Sequence, residues 1–204
     1  KGVDRPGWPR GGGDPLPPGG RWLYLQSTER RSELGRDGHP EKGAGLIPPA
    51  TPPRRVWTAG RFTFQRPLKI GAFATQRSLV KDTRIRRSPN GPECVVTLQH
   101  EAMTADGLAE TEEQELVFLR DPKPGEPQPE PPAAPMDEVW RRVWTADPPL
   151  LFRFSALTYN PHRVHYDLEY CHDVEGYDGL VVQSPLLALL MLELARERGP
   201  DKVI

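Results

Sequence analysis

Ten consecutive residues, Leu186 to Ala195, contain one polar side chain, Glu193. Ser184 and Pro185 precede the run, a capping residue followed by a proline suited to the first helical position, and Gly199-Pro200 closes it. The spacing predicts a helix. A helix apolar on every side has to be wrapped by other parts of the protein, and ten residues fall well short of the ~20 that cross a bilayer. The rest of the chain must therefore supply a cover on several sides.

Between Arg61 and Leu119 the chain alternates apolar and polar residues in segments separated by turn signals, the pattern of an antiparallel sheet. Arg61-Phe62-Thr63-Phe64 opens it and Phe73 to Arg86 follows. Ser88-Pro89-Asn90-Gly91 makes a hairpin connection, because Asn-Gly accepts the positive φ angles of tight turns. Cys94 to Met103, a turn at Ala105-Asp106-Gly107, and Thr111 to Leu119 complete the set.

Around this sheet the sequence marks its own boundaries. Residues 1–20 are rich in Gly, Pro and Arg and read as an extended or disordered arm. Trp22-Leu23-Tyr24-Leu25 is the first stretch apolar enough to form a strand or dock on a core, and 30–53 reads as loop with at most a helical turn. Pro122 to Pro135 holds seven prolines, the composition of a stiff linker. The expected division is an arm at 1–20, a first half at 21–121, a linker at 122–137 and a second half at 138–204. In the second half, Val139 to Thr145 and Leu150 to Ala156 read as two strands. A short echo, Val56-Trp57-Thr58-Ala59 against Val143-Trp144-Thr145-Ala146, fits two related halves.

Charge and cysteine content narrow the function. Lys and Arg total 27 against 28 Asp and Glu, a formal charge of -1, so nothing global draws the chain to nucleic acid or an anionic membrane. The basic run Lys81 to Arg87 reads as a solvated strand face. Cys94 and Cys171 have no CxxC partner and are too few for a disulfide framework, which fits a reducing compartment: cytoplasm, or the mitochondrial matrix in a eukaryote.

The stretch FSALTYNPHRVHYDLEY, from Phe154 to Tyr170, followed by EGYDGLVVQSP, from Glu175 to Pro185, carries the chemistry. It resembles the signature of the MaoC-like hydratases: a loop with a polar catalytic residue, a His-x-Asp, a Gly-rich strand and a buried helix. The resemblance is to the double-hot-dog branch that includes mesaconyl-CoA and itaconyl-CoA hydratases and 3-hydroxyacyl-thioester dehydratases. It implies an α+β chain of two hot-dog halves, curved antiparallel sheets around a central helix, with the second half apparently truncated.

The same resemblance implies a hydro-lyase acting on an α,β-unsaturated, dicarboxylic or fatty, acyl-CoA or on a 3-hydroxyacyl thioester, with no cofactor and no metal, as a monomer or a homodimer. His165 takes the catalytic position and Asn160 stands where the family commonly places an Asp. Asp167 and Tyr166 support them, Gln183 and Ser184 stand at the helix start where an enolate oxygen would be stabilised, and Arg163 is placed to bind CoA or a carboxylate. An amide cannot accept a proton at neutral pH, so Asn160 would orient water while imidazole, with an ordinary pKa of ≈ 6.5, moves the proton. The competing reading is a catalytically silent hot-dog protein that binds acyl-CoA or partners another subunit.

Overall fold

The computed structural model describes residues 11–26, 29–49, 51–123, 125–126 and 133–199. Four long strands form one antiparallel sheet in the order β1-β4-β3-β2: β1 (Arg54–Phe64), β2 (Ala74–Ser88), β3 (Gly91–Thr104) and β4 (Gly107–Leu119). Both hairpins sit where the turn residues put them, with Gly91 at φ 108° and Gly107 at φ 105°. Register shifts between Trp57 and Ala59 in β1 and between Val80 and Asp82 in β2 mark bulges, which bend and twist strands.

Cross-strand pairing puts Cys94 opposite Phe118 and Val96 opposite Leu116, and these pack with Leu98, Ile47 and Trp57 as one apolar cluster. Further along β3 and β4, His100 pairs with Glu112 and Leu98 with Gln114, so the same face turns polar towards one end. On β2 the basic run is exposed, and its charges are met by neighbouring acids, Lys81 with Glu113, Arg84 with Asp82 and Glu115, and Arg86 with Glu93.

Ahead of the sheet, the reading of 1–20 as a free arm is corrected for its second part. Gly13 and Leu16 donate backbone hydrogen bonds to Ile70 and Leu68, at 2.9 and 2.6 Å, and Leu16 packs against Leu68, Ala102 and Ala109. Residues 1–10 lie outside the described set. Trp22 docks rather than extends: it lies in a 3-10 turn, Gly20–Leu23, its indole N–H donating to Glu112 at 3.1 Å. Beside it Arg21 is buried and paired with Glu110 at 2.8 Å and with Glu112.

After the linker, of which 124 and 127–132 lie outside the described residues, the sequence reading fails. Residues 139–145 form no strand, and Val139 and Val143 are exposed. Leu150 to Ala156 is helical, inside α1 (Pro148–Thr158). The signals were present: Asp147 caps the helix by accepting from the Leu150 N–H at 3.0 Å, and Pro148 and Pro149 occupy its first turn. The alternation Phe152-Arg153-Phe154 imitates a strand, but the buried residues are Leu151 and Phe154, three apart as on a helix face. The echoed tetrapeptides thus sit in unlike settings, one in β1 and one in an exposed irregular segment.

A turn at α2 (Leu168–Tyr170) runs into a wide turn at Cys171–Glu175, and α3 (Ser184–Arg198) follows. Its apolar cover comes from α1 and not, as expected, from the sheet. Leu186 and Leu189 pack on Leu151 and Phe154 of α1, with Trp22 against them. Leu187 and Met191 remain 48% and 65% exposed, so the helix is covered on one side within the described residues. The class is α+β, as the hot-dog resemblance implies. Among the described residues no helix is long and apolar enough to cross a membrane.

Candidate active site

The polar end of the sheet and the loop after α1 enclose a cavity of about 310 Å³. Leu98, His100, Gln114 and Leu116 line it from β3 and β4, Arg55, Val56 and Trp57 from β1, Asn160, His162 and His165 from the loop, and Ser184 and Pro185 from the start of α3. Arg21 and Trp22 close a further side.

The loop is built by its own backbone. α1 stops at Tyr159, which adopts the left-handed conformation at φ 53°, and Asn160 N–H donates back to Ser155 at 2.9 Å. The Asn160 side-chain oxygen then accepts from the His162 N–H at 3.1 Å. That bond fixes the amide with its oxygen occupied and leaves its NH₂ donors without a protein partner among the described residues. His165 follows in a short 3-10 turn, Arg163–His165.

His165 is buried, and its Nδ1 lies 2.7 Å from the Val181 carbonyl oxygen. A carbonyl can only accept, so Nδ1 carries the proton and Nε2 keeps its lone pair. Burial pushes the pKa of this imidazole below its ordinary value, the Val181 bond opposes that, and the Arg55 charge adds to it. The irregular segment around Val181, where the resemblance implied a strand, is itself pinned by its N–H to the Val164 carbonyl at 2.9 Å, and the Cys171 thiol donates to the same carbonyl at 3.2 Å. Cys171 is fully buried and its thiol pKa is raised by burial, so it braces the loop rather than reacting.

The other residues singled out in the sequence divide. Asp167 lies away from the His165 ring: its carboxylate caps α2 by accepting from Tyr170 N–H at 3.0 Å and holds Arg163 at 2.7 Å. Arg163 also stacks over the Tyr170 ring and donates its backbone N–H to the Asp37 carbonyl at 2.9 Å. The Tyr166 hydroxyl donates to the Pro161 carbonyl at 3.1 Å. Gln183 is fully buried and directs its amide N–H groups at Leu151 O and Ser155 Oγ, both at 2.8 Å, which ties the start of α3 to α1. Of the pair at the helix start, Ser184 lines the cavity. Its N–H and that of Leu186 precede the first helical hydrogen bond, from Leu187 to Gln183.

Three residues that the sequence reading gave no role join the site, His39 and Arg55 in the cavity wall and Asp37 behind His39. His39, from Asp37-Gly38-His39, packs its ring 4.4 Å from that of His162, which lies 5.1 Å from that of His165. Asp37 accepts from the His39 N–H at 3.0 Å and lies 3.2 Å from its Nδ1. Arg55 lines the cavity beside them. Burial holds His39 down to about 4 and drives His162 lower still, so both rings are neutral at pH 7.

Among the described residues His162 is grouped with Asp37 and His39, whose ligand atoms lie within 4.8 Å of one another. These three could hold a cation, at the expense of the Asp37–His39 bond and against the nearby Arg55 charge.

The family model described as hydroxyacyl-thioester dehydratase type 2 matches residues 19–204. Mesaconyl-C(4)-CoA hydratase of Chloroflexus aurantiacus is 41% identical over 193 residues, covering 93% of this chain and 68% of the relative. The mitochondrial hydroxyacyl-thioester dehydratase type 2 of Schizosaccharomyces pombe is 25% identical, covering 91% of this chain and 69% of the relative. Among solved structures, HtdX of Mycobacterium tuberculosis superposes with a TM-score of 0.52 at 20% identity, over 72% of this chain and 57% of HtdX. The chain thus spans about two thirds of these curated relatives and less than two thirds of HtdX.

Proposed function

This chain belongs to the hydroxyacyl-thioester dehydratase type 2 family, and on that premise we propose that it catalyses the reversible addition of water to an α,β-unsaturated acyl-CoA, with His165 as the proton-transferring group. The observation that carries the reading is the His165–Val181 bond, which leaves a basic Nε2 in a cavity large enough for a small acyl group.

In the hydration direction, His165 Nε2 takes a proton from water as the oxygen adds to the β-carbon. The imidazolium then returns a proton to the α-carbon, so the ring ends neutral. Between these events negative charge rests on the thioester oxygen, and the free N–H groups at the start of α3, with the positive end of the helix dipole, are the donors suited to it. Pro185 removes one donor from that turn, which leaves Ser184 N–H as the donor at the cavity wall. Asn160, whose oxygen is occupied by His162 N–H, donates from its amide nitrogen to the attacking water. Dehydration runs the same steps backwards. The substrate we favour is a short dicarboxylic enoyl-CoA.

The reading is tested by following the fall in enoyl-thioester absorbance with crotonyl-CoA and mesaconyl-CoA, comparing wild type with His165→Ala. Turnover by the wild type and a loss of at least roughly 10²-fold in the variant are expected, the scale of a missing general acid or base. A folded wild type that binds CoA esters without hydrating either would make the chain a silent binding protein.

A further inference from the structure

Most charged groups around the cavity are bonded to a neighbour, and Arg55 is not. Arg21 is paired with Glu110 and Glu112, and Glu175 with Arg54 at 2.6 Å. The Asp37 carboxylate is bound to His39 through both the backbone N–H and the ring. Arg55 has neither an ion pair nor a hydrogen bond to its guanidinium among the described residues, although it lines the cavity with His39, His162 and His165. Burial lowers its pKa to about 10, which leaves it charged at neutral pH. The histidines beside it are neutral, and the Asp37 carboxylate attracts it through space without a hydrogen bond or ion pair to its guanidinium. The guanidinium thus stands in the cavity wall with its N–H donors unmatched by any acceptor among the described residues, so its place fits a ligand that brings a planar anion.

We propose that Arg55 receives the free carboxylate of a dicarboxylic enoyl thioester, and so selects that substrate class and sets its double bond against His165. Guanidinium and carboxylate match as planar groups joined by two parallel hydrogen bonds, a geometry an ammonium cannot reproduce. The neighbouring basic candidate, Arg163, is unsuited to the task because Asp167 already occupies its Nε and Nη2. The proposal rests on the hydratase reading for its chemistry, while the binding of the carboxylate can be measured without turnover.

The experiment therefore has two arms, with Arg55→Met and Arg55→Lys beside the wild type, each checked for folding by circular dichroism and Tm. In the first, free mesaconate and free coenzyme A are titrated separately by calorimetry. Mesaconate should bind the wild type and lose at least tenfold in affinity in Arg55→Met, with coenzyme A unchanged. In the second, kcat/KM is measured on mesaconyl-CoA and crotonyl-CoA. Arg55→Met should lose about a hundredfold on mesaconyl-CoA, the scale of a desolvated polar contact left unmade, and less than tenfold on crotonyl-CoA. Arg55→Lys should fall between.

Equal losses on both substrates, or weakened coenzyme A binding, would assign Arg55 to the carrier portion and overturn the proposal. So would mesaconate affinity that ignores the substitution or is absent from the wild type. A wild type that binds mesaconate through Arg55 but hydrates neither thioester would defeat the hydratase reading alone.

Discussion

Pro161 directs its carbonyl oxygen at Gly38 so closely that a Cβ on Gly38 would stand 2.0 Å from it. Through this contact, and the bond from Arg163 N–H to Asp37 O, the loop bearing Asn160 and His165 is set down on the segment bearing Asp37 and His39. The two halves of the histidine cluster meet because this position has no side chain. Gly38 also has φ +90°, a conformation costly for any other residue.

Gly38→Ala should therefore destabilise the protein by about 3 kcal/mol or more, combining backbone strain with a backbone clash that no rotamer relieves. Urea denaturation of variant and wild type measures it. A difference under about 1 kcal/mol, the scale of an unremarkable substitution, would mean that the loop and the segment are not docked as described.

The depressed pKa of His165 fixes the direction of pH dependence. The neutral ring is the base, so kcat/KM for hydration should rise with pH through an acid limb centred below the ordinary 6.5 and then level off. A pH-rate profile on crotonyl-CoA shows where the limb lies. A midpoint above 7 would require a different base, or a counter-charge acting on His165 that none of the described residues supplies.

Stability should follow pH in the same sense through His39, His100 and His162, partly or fully buried with lowered pKa, His39 and His100 to about 4. The unfolded chain binds protons near pH 6.5 that the folded chain refuses until about 4, so the unfolded state gains protons first as pH falls. Stability is then complete above about 6.5 and is lost as pH falls from there towards 4. Tm measured between pH 7.5 and 4.5 should decline across that window, and His39→Gln should flatten the decline. A Tm that holds constant to pH 4.5 would contradict the burial of these rings as neutral groups.

What the sequence revealed and what it hid follow from the range of the interactions involved. The sheet was legible because each of its two tight turns is specified locally, by Asn90-Gly91 and by Asp106-Gly107, and each strand carries its own alternation. The helix at Ser184 was legible from its apolar run and its Gly-Pro stop, though its capping residue is Gln183 rather than Ser184 and makes no side-chain cap. The error at 150–156 arose where a two-residue alternation competed with a cap-and-proline start, and the helix won by burying Leu151 and Phe154 against α3.

Within the candidate site, the run from Asn160 to Asp167 stood out by motif, whereas Asp37, His39 and Arg55 carry no periodicity and become site residues through tertiary contact alone. The pair Arg54-Arg55 shows how little residue type says by itself: one guanidinium is bonded to Glu175 and its neighbour faces the cavity.

The bond between Arg54 and Glu175 joins positions 121 apart in the chain, and the other closures of the cavity, Asp37 with Arg163 and Trp22 with Glu112, are also distant in sequence. The two β-hairpins can zip from their turns, but the cavity walls meet only after long loops have closed, an entropic cost borne before those contacts repay it. During refolding, strand signal should therefore appear ahead of the ability to bind a ligand, so a chain caught partway would have its sheet and lack its site.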